Sequence, residues 1–192
     1  MSYDVSIMVR QRLNEDLVVQ AACVLADVDG FGSLTLSSVA SDLGVATSAL
    51  YNHCSGLDGL HHQVAVASTI TLVEALRTAA IGAQGDRALA AMAAAYRSFA
   101  TSHPGQFASI LRPPPSDGDG RLATANQSVI DTFMLVYAGM GFDSGPSELA
   151  ARSTHSAIHG FLALEHSAPS IDADSNFEHL VAMLRRGLAS SS

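Results

Sequence analysis

The chain runs to 192 residues, enough for one large domain or two small ones around a real buried core. Its 10 cations are all arginine and face 18 acids; the net charge of −8 excludes the broad basic surface that usually supplies non-specific affinity for nucleic acid. Two cysteines, Cys23 and Cys54, exclude a disulfide framework, and no apolar run spans a bilayer or leads a secretion signal, so a cytoplasmic chain without a membrane partner is expected.

Abundant alanine, and proline that is scarce outside one cluster, favour an all-α fold of about nine helices. Residues 1–10 read as an arm closed by Arg10 and Arg12, which either reach a phosphate or the minor groove or simply stay solvated. A first helix is expected from Gln11 to Asp29, with Leu13, Leu17, Ala21, Val24, Leu25 and Val28 as its apolar stripe. Asn14 is a candidate cap, and Glu15 and Asp16 suit the positive end of the helix dipole. Phe31 is expected to plug the bottom of the unit. Both cysteines fall on apolar positions and read as buried thiols.

Thr35 to His53 is the most informative stretch. Leu36, Val39, Ala40 and Leu43 recur at helical spacing behind Thr35, a candidate N-cap. Gly44 stands where a left-handed residue ends a helix, and Val45 pins the turn. A second short helix opens at Ala46 or Thr47, with Leu50 pointing back at the first. Thr47, Ser48, Ala49, Tyr51, Asn52 and His53 face outward. This is the pattern of a helix-turn-helix, whose second helix enters the major groove.

The segment resembles the DNA-binding domain of the TetR family of bacterial transcription regulators. The resemblance rests on Thr35-x-x-x-Val39-Ala40, Gly44-Val45, Leu50-Tyr51-x-His53, a following Leu60, and Asp29-Gly30-Phe31-Gly32 upstream. It implies that Tyr51 and His53 hold phosphates, while Thr47, Ser48, Asn52 and, from the preceding helix, Ser37 meet base edges or nearby phosphates. Family members commonly carry an aromatic where Cys54 stands, and a lysine touching the DNA backbone where Leu57 stands. Residues 1–60 set Arg10 and Arg12 against Asp4, Glu15, Asp16, Asp27, Asp29, Asp42 and Asp58. Two readings fit that imbalance: weak or narrow DNA binding, or acids turned to the far face.

A fourth helix is expected over Leu57 to Ile81, with His61 and His62 near its start read either as exposed histidines near the DNA face or as a metal site. A fifth, Asp86 to Ser102, carries Leu89, Met92, Ala93, Tyr96, Phe99 and Ala100 on one side. His103-Pro104-Gly105 marks a turn, and a short sixth helix follows from Gln106 to Leu111. Arg112 to Gly120 is a proline- and glycine-rich surface loop. The seventh helix, Arg121 to Gly141, turns Val129, Ile130, Phe133, Met134, Tyr137 and Met140 inward. The eighth, Ser147 to His166, bears Ser153, Ser156, Ala157 and Gly160 at i, i+3, i+4, i+7, a small-residue stripe that lets another helix approach. The ninth, Asp174 to Leu188, carries Phe177, Leu180, Val181, Leu184 and Leu188 on one face.

His103-Pro104-Gly105 and Ile158-His159-Gly160-Phe161-x-x-Leu164-Glu165 resemble a TetR subgroup with a Trp-x-x-x-His-Gly signature, in which His155 holds the tryptophan position. The resemblance implies a homodimer built on helices eight and nine, through Ser153, Ser156, Ala157, Gly160, Phe177, Leu180, Val181 and Leu184. It divides the chain into a DNA-binding domain, 1–56, and a ligand-binding and dimerisation domain, 57–192.

There is no phosphate-binding glycine loop, no nucleophile elbow and no paired-cysteine zinc motif, so no catalytic residue and no cofactor is expected. His155 and His159 are one helical turn apart, spaced either for a metal or as one interface and one pocket histidine. Met92, Tyr96, Phe99, Phe107, Phe133, Met134, Tyr137 and His159 either line a cavity for a hydrophobic small-molecule effector or form ordinary core. The leading expectation is a dimeric repressor released by that effector from a near-palindromic double-stranded DNA operator. The rivals are a protein-interaction module that has lost its operator, and a metal-dependent enzyme or sensor.

Overall fold

A computed structural model describes residues 12–111, 120–168 and 171–189. Nine α-helices and one 3-10 turn form the described chain: α1 Glu15–Asp29, the turn Phe31–Ser33, α2 Leu36–Asp42, α3 Thr47–Leu50, α4 Gly56–Ala80, α5 Gly85–Ser102, α6 Pro104–Leu111, α7 Arg121–Gly139, α8 Ser144–Ser167 and α9 Ala173–Ala189. Arg10 and most of the loop over 112–120 lie outside the described residues. No described helix is long and apolar enough to cross a membrane.

Two large apolar clusters divide the fold, with a small third of Ala65, Val66 and Leu122. The first gathers α1, α2 and α3 around Val18, Ala22, Ala26, Val39 and Leu50, and is completed by Leu60 and Val64 from the first half of α4. The second joins Leu72, Val73 and Leu76 from the other half of α4 to α5, α7, α8 and α9. One helix of 25 residues, about 37 Å long at 1.5 Å per residue, therefore serves both cores. Arg97 knits the far side: it donates to Glu165 on α8, pairs with Asp174 on α9 at 2.8 Å, and lies over the Phe177 ring.

The clusters meet across a tight joint between α1 and α6. Gly105 sits so close to the last turn of α1 that a Cβ there would lie 1.8 Å from the Ala26 carbonyl oxygen. The Asp27 carboxylate beside it accepts from the Gln106 backbone N–H at 2.9 Å and from the Gln106 side-chain amide at 2.8 Å, and meets His103 Nδ1 at 2.9 Å. An acid from the N-terminal unit thus caps a helix of the C-terminal unit.

The structure corrects three expectations. Val24 and Val28 are exposed, and α1 buries Val18, Val19, Ala22 and Ala26 instead, because it is packed on two sides by α2, α4 and α6. His61 is buried, its ring 4.6 Å from that of Phe31, so it belongs to the plug rather than the surface. α3 is regular for only four residues; Tyr51, Asn52 and His53 form a turn whose amides return to Ala49 and Leu50.

Candidate nucleic-acid interface and ligand cleft

The helix-turn-helix is built by local bonds. Thr35 Oγ1 accepts from the Ser38 N–H at 3.0 Å, and the Thr35 N–H donates back to Ser38 Oγ at 3.1 Å, a reciprocal capping box that starts α2. Gly44 takes φ +65° and lets the chain reverse, after which the Val45 N–H bonds to the Ala40 carbonyl at 2.9 Å. Fully buried Leu50 fastens α3 to the first cluster. A four-residue helix has almost no intrinsic stability, so its orientation comes from that anchor and from Gln63 of α4, whose buried amide donates to the His53 carbonyl at 2.8 Å.

Ser37, Ser48, Tyr51 and Asn52 are exposed, while Thr47, Ala49 and His53 are half-buried. Arg12 is exposed ahead of α1. Leu57 is exposed in the first turn of α4. Two of the acids in the first sixty residues are committed elsewhere: Glu15 pairs with Arg121 of α7 at 2.9 Å, and Asp27 caps α6. Both face the C-terminal unit.

That unit holds a cleft of about 330 Å³ between α4, α5, α6, α7 and α8. Leu72, Ile110, Val129 and Ile130 give it apolar walls; Asn126, Gln127 and Arg152 stand among its polar lining. Tyr96, His155 and His159 also line it, with the Tyr96 hydroxyl 2.7 Å from His159 Nδ1 and 3.5 Å from His155 Nε2. Burial pushes the His155 imidazole down to about 4, with His159 adding to the shift. Burial also lowers His159 and raises the Tyr96 phenol, so the trio is uncharged near neutral pH.

Of the residues expected to line a cavity, Tyr96 and His159 do. Met92, Phe99, Phe107, Phe133 and Tyr137 are buried in the core, and Met134 packs at its edge. Phe107 and Phe133 back the two histidines, their rings 5.9 Å from His159 and 6.5 Å from His155. His155 lines the same cleft as His159. Arg152, which sequence reasoning did not pair with them, joins His155 and His159 at i, i+3 and i+7 on one polar face of α8.

On the other side of α8, Leu149 and Leu164 are exposed in line with exposed Ser153 and Ser156 and half-buried Ala157 and Gly160. On α9, Leu180, Val181 and Leu184 are half-buried and Met183 is exposed, whereas Phe177 turns inward against Phe161.

A family described as Tetracyclin repressor-like, C-terminal domain, matches residues 89–184. A Mycobacterium tuberculosis protein, the uncharacterized HTH-type transcriptional regulator Rv0681, is 31% identical over 179 residues, covering 92% of this chain and 82% of its own. The chain belongs to the TetR family. Its fold is like that of BioQ from Mycobacterium smegmatis, with TM-score 0.73 at 22% identity over 94% of this chain and 100% of that one. It is also like a possible TetR family transcriptional regulator from Streptomyces coelicolor A3(2), with TM-score 0.71 at 18% identity over 93% and 100%. TetR-family members are DNA-binding transcriptional regulators that act as dimers, and this chain is a TetR-type regulator with the family's all-α architecture.

Proposed function

We propose that the chain is a homodimeric repressor that holds a near-palindromic operator and leaves it when a small molecule fills the cleft. The observation that carries this reading is the double duty of α4. Gln63 in its first half holds the recognition turn through the His53 carbonyl, and Thr69 and Leu72, about 9 to 14 Å further along the same rod, line the cleft. A ligand that displaces α4 at Leu72 changes where α3 points, and in a two-fold dimer this changes the distance between two recognition segments that must enter major grooves about 34 Å apart.

Ser48, Tyr51 and Asn52 form the exposed reading surface, with Thr47, Ala49, His53, Ser37 and Arg12 around it. The Leu149, Ser153, Ser156, Gly160 and Leu164 face of α8, with α9, is the dimer surface. Gly160 supports this, because a Cβ there would meet nothing within 4 Å, leaving open room for a partner helix.

A gel-shift titration against DNA from the chain's own promoter, repeated at several salt concentrations, tests the reading. A sequence-selective shift is expected, with a shallow salt dependence that reflects the few cations. Exposed Leu57 in place of a lysine favours the rival protein-interaction module, and the absence of a selective shift even at low salt would decide for it. Among the described residues no group of three or more His, Cys, Asp or Glu side chains is placed to hold a metal ion.

A further inference from the structure

We infer that the cleft takes a compact, uncharged molecule carrying a hydroxyl, either an alcohol or a phenol, and that Tyr96, His155 and His159 read that hydroxyl. This rests on the proposed role of the cleft as the effector site and adds the chemistry of the effector.

The argument is a count of protons. A phenol has one proton to give, so Tyr96 can donate to only one of its two imidazole neighbours and must accept from the other. Each neutral imidazole has one N–H and one bare nitrogen. His159 Nδ1 and His155 Nε2 face Tyr96. Whichever way the chain of bonds runs, what remains for a ligand is one N–H and one bare nitrogen, on His159 Nε2 and His155 Nδ1. A hydroxyl satisfies both, since it donates and accepts. An ether or ketone leaves the bare nitrogen unmet, and a carboxylate, ionised near neutral pH, has no proton to give it either.

Charge points the same way. The one cation among the cleft's lining residues, Arg152, is engaged by Glu148 at 2.9 Å and by the Gln127 carbonyl at 3.3 Å. The other side of Gln127 donates to Asp131 at 2.8 Å, so the charged groups at this edge are one guanidinium and two carboxylates. An anion would gain no unpaired cation there. In the remaining lining Leu72, Ile110, Val129 and Ile130 are apolar, and Thr69 and Asn126 are polar but uncharged. Ligand sites run from about 300 to 1,000 Å³, so a cleft of about 330 Å³ selects a small molecule.

The test uses three probes with one ring and one tail: para-ethylphenol, its methyl ether para-ethylanisole, and para-ethylbenzoate. Each is titrated into the full chain near neutral pH while NMR follows the imidazole protons of His155 and His159, assigned with His155→Gln and His159→Gln. Para-ethylphenol is expected to shift both sets with a roughly millimolar Kd, and the methyl ether to bind about tenfold more weakly. The benzoate is expected to be weaker still. A methyl ether or a benzoate that shifts these signals at least as strongly as the phenol overturns the hydroxyl assignment and leaves the cleft standing as a ligand site. If no probe shifts either histidine, the assignment and the reading of the cleft both fall.

Discussion

Replacing Gly105 with alanine tests the joint between α1 and α6. The added Cβ would sit 1.8 Å from the Ala26 oxygen, 2.1 Å from its carbonyl carbon and 2.6 Å from the Asp27 nitrogen. All three are backbone atoms and cannot swing aside. α6 has to withdraw by roughly an ångström, which takes the Gln106 N–H beyond hydrogen-bond reach of Asp27, now at 2.9 Å. Overpacking costs about 1 to 3 kcal/mol, and loss of a bond to a charged acceptor about 1.5 to 3. Better helix propensity returns up to about 1 kcal/mol. The net is a loss of about 1.5 to 6 kcal/mol, or roughly 3 to 24 °C in Tm for a chain of this size. Thermal unfolding followed by far-UV circular dichroism measures it. A Tm equal to or above that of the parent would refute the seating of α6 on α1.

Three further outcomes are expected. Leu57→Lys adds a phosphate contact at the start of α4, so operator affinity should rise and the slope of log K against log salt should steepen by about one; an unchanged slope would place Leu57 away from the DNA. Leu164→Glu puts a charge on the exposed α8 face and should yield monomers by light scattering, with loss of the operator shift; a persistent dimer would locate the interface elsewhere. His155 is held neutral in the fold, about 4 against an ordinary 6.5, so the unfolded chain takes up its proton first as the pH drops. Its contribution is fully present above about pH 6.5 and is lost toward pH 4, up to about 3 kcal/mol. His155→Gln should flatten stability over that window, and an unaltered pH profile would contradict the burial of this imidazole.

The helix-turn-helix was legible because its signals are local: a threonine cap, a glycine at positive φ, and apolar residues one turn apart. The orientation of α1 was not. In an alanine-rich helix the large side chains draw the eye, but Ala22 and Ala26 are what the neighbouring helices approach, and Val24 and Val28 are left outside. The cleft was legible only in part, for a related reason. Large aromatics such as Phe107 and Phe133 fill space, so they end in the core; a cavity persists where smaller aliphatic and polar side chains leave room, beside Val129, Asn126 and Arg152. His61 was misplaced because nothing in its spacing reveals that Phe31, thirty residues earlier, would cover it.

The handover of α4 between the two cores has a practical consequence for anyone who would study the halves apart. A chain cut after residue 56 keeps Leu50 but gives up Leu60 and Val64, which close the cluster around it, while the complementary fragment keeps α6 but gives up the carboxylate that begins it. The expected boundary at residue 56 therefore does not part autonomous folding units, and the intact protein should melt in a single two-state transition.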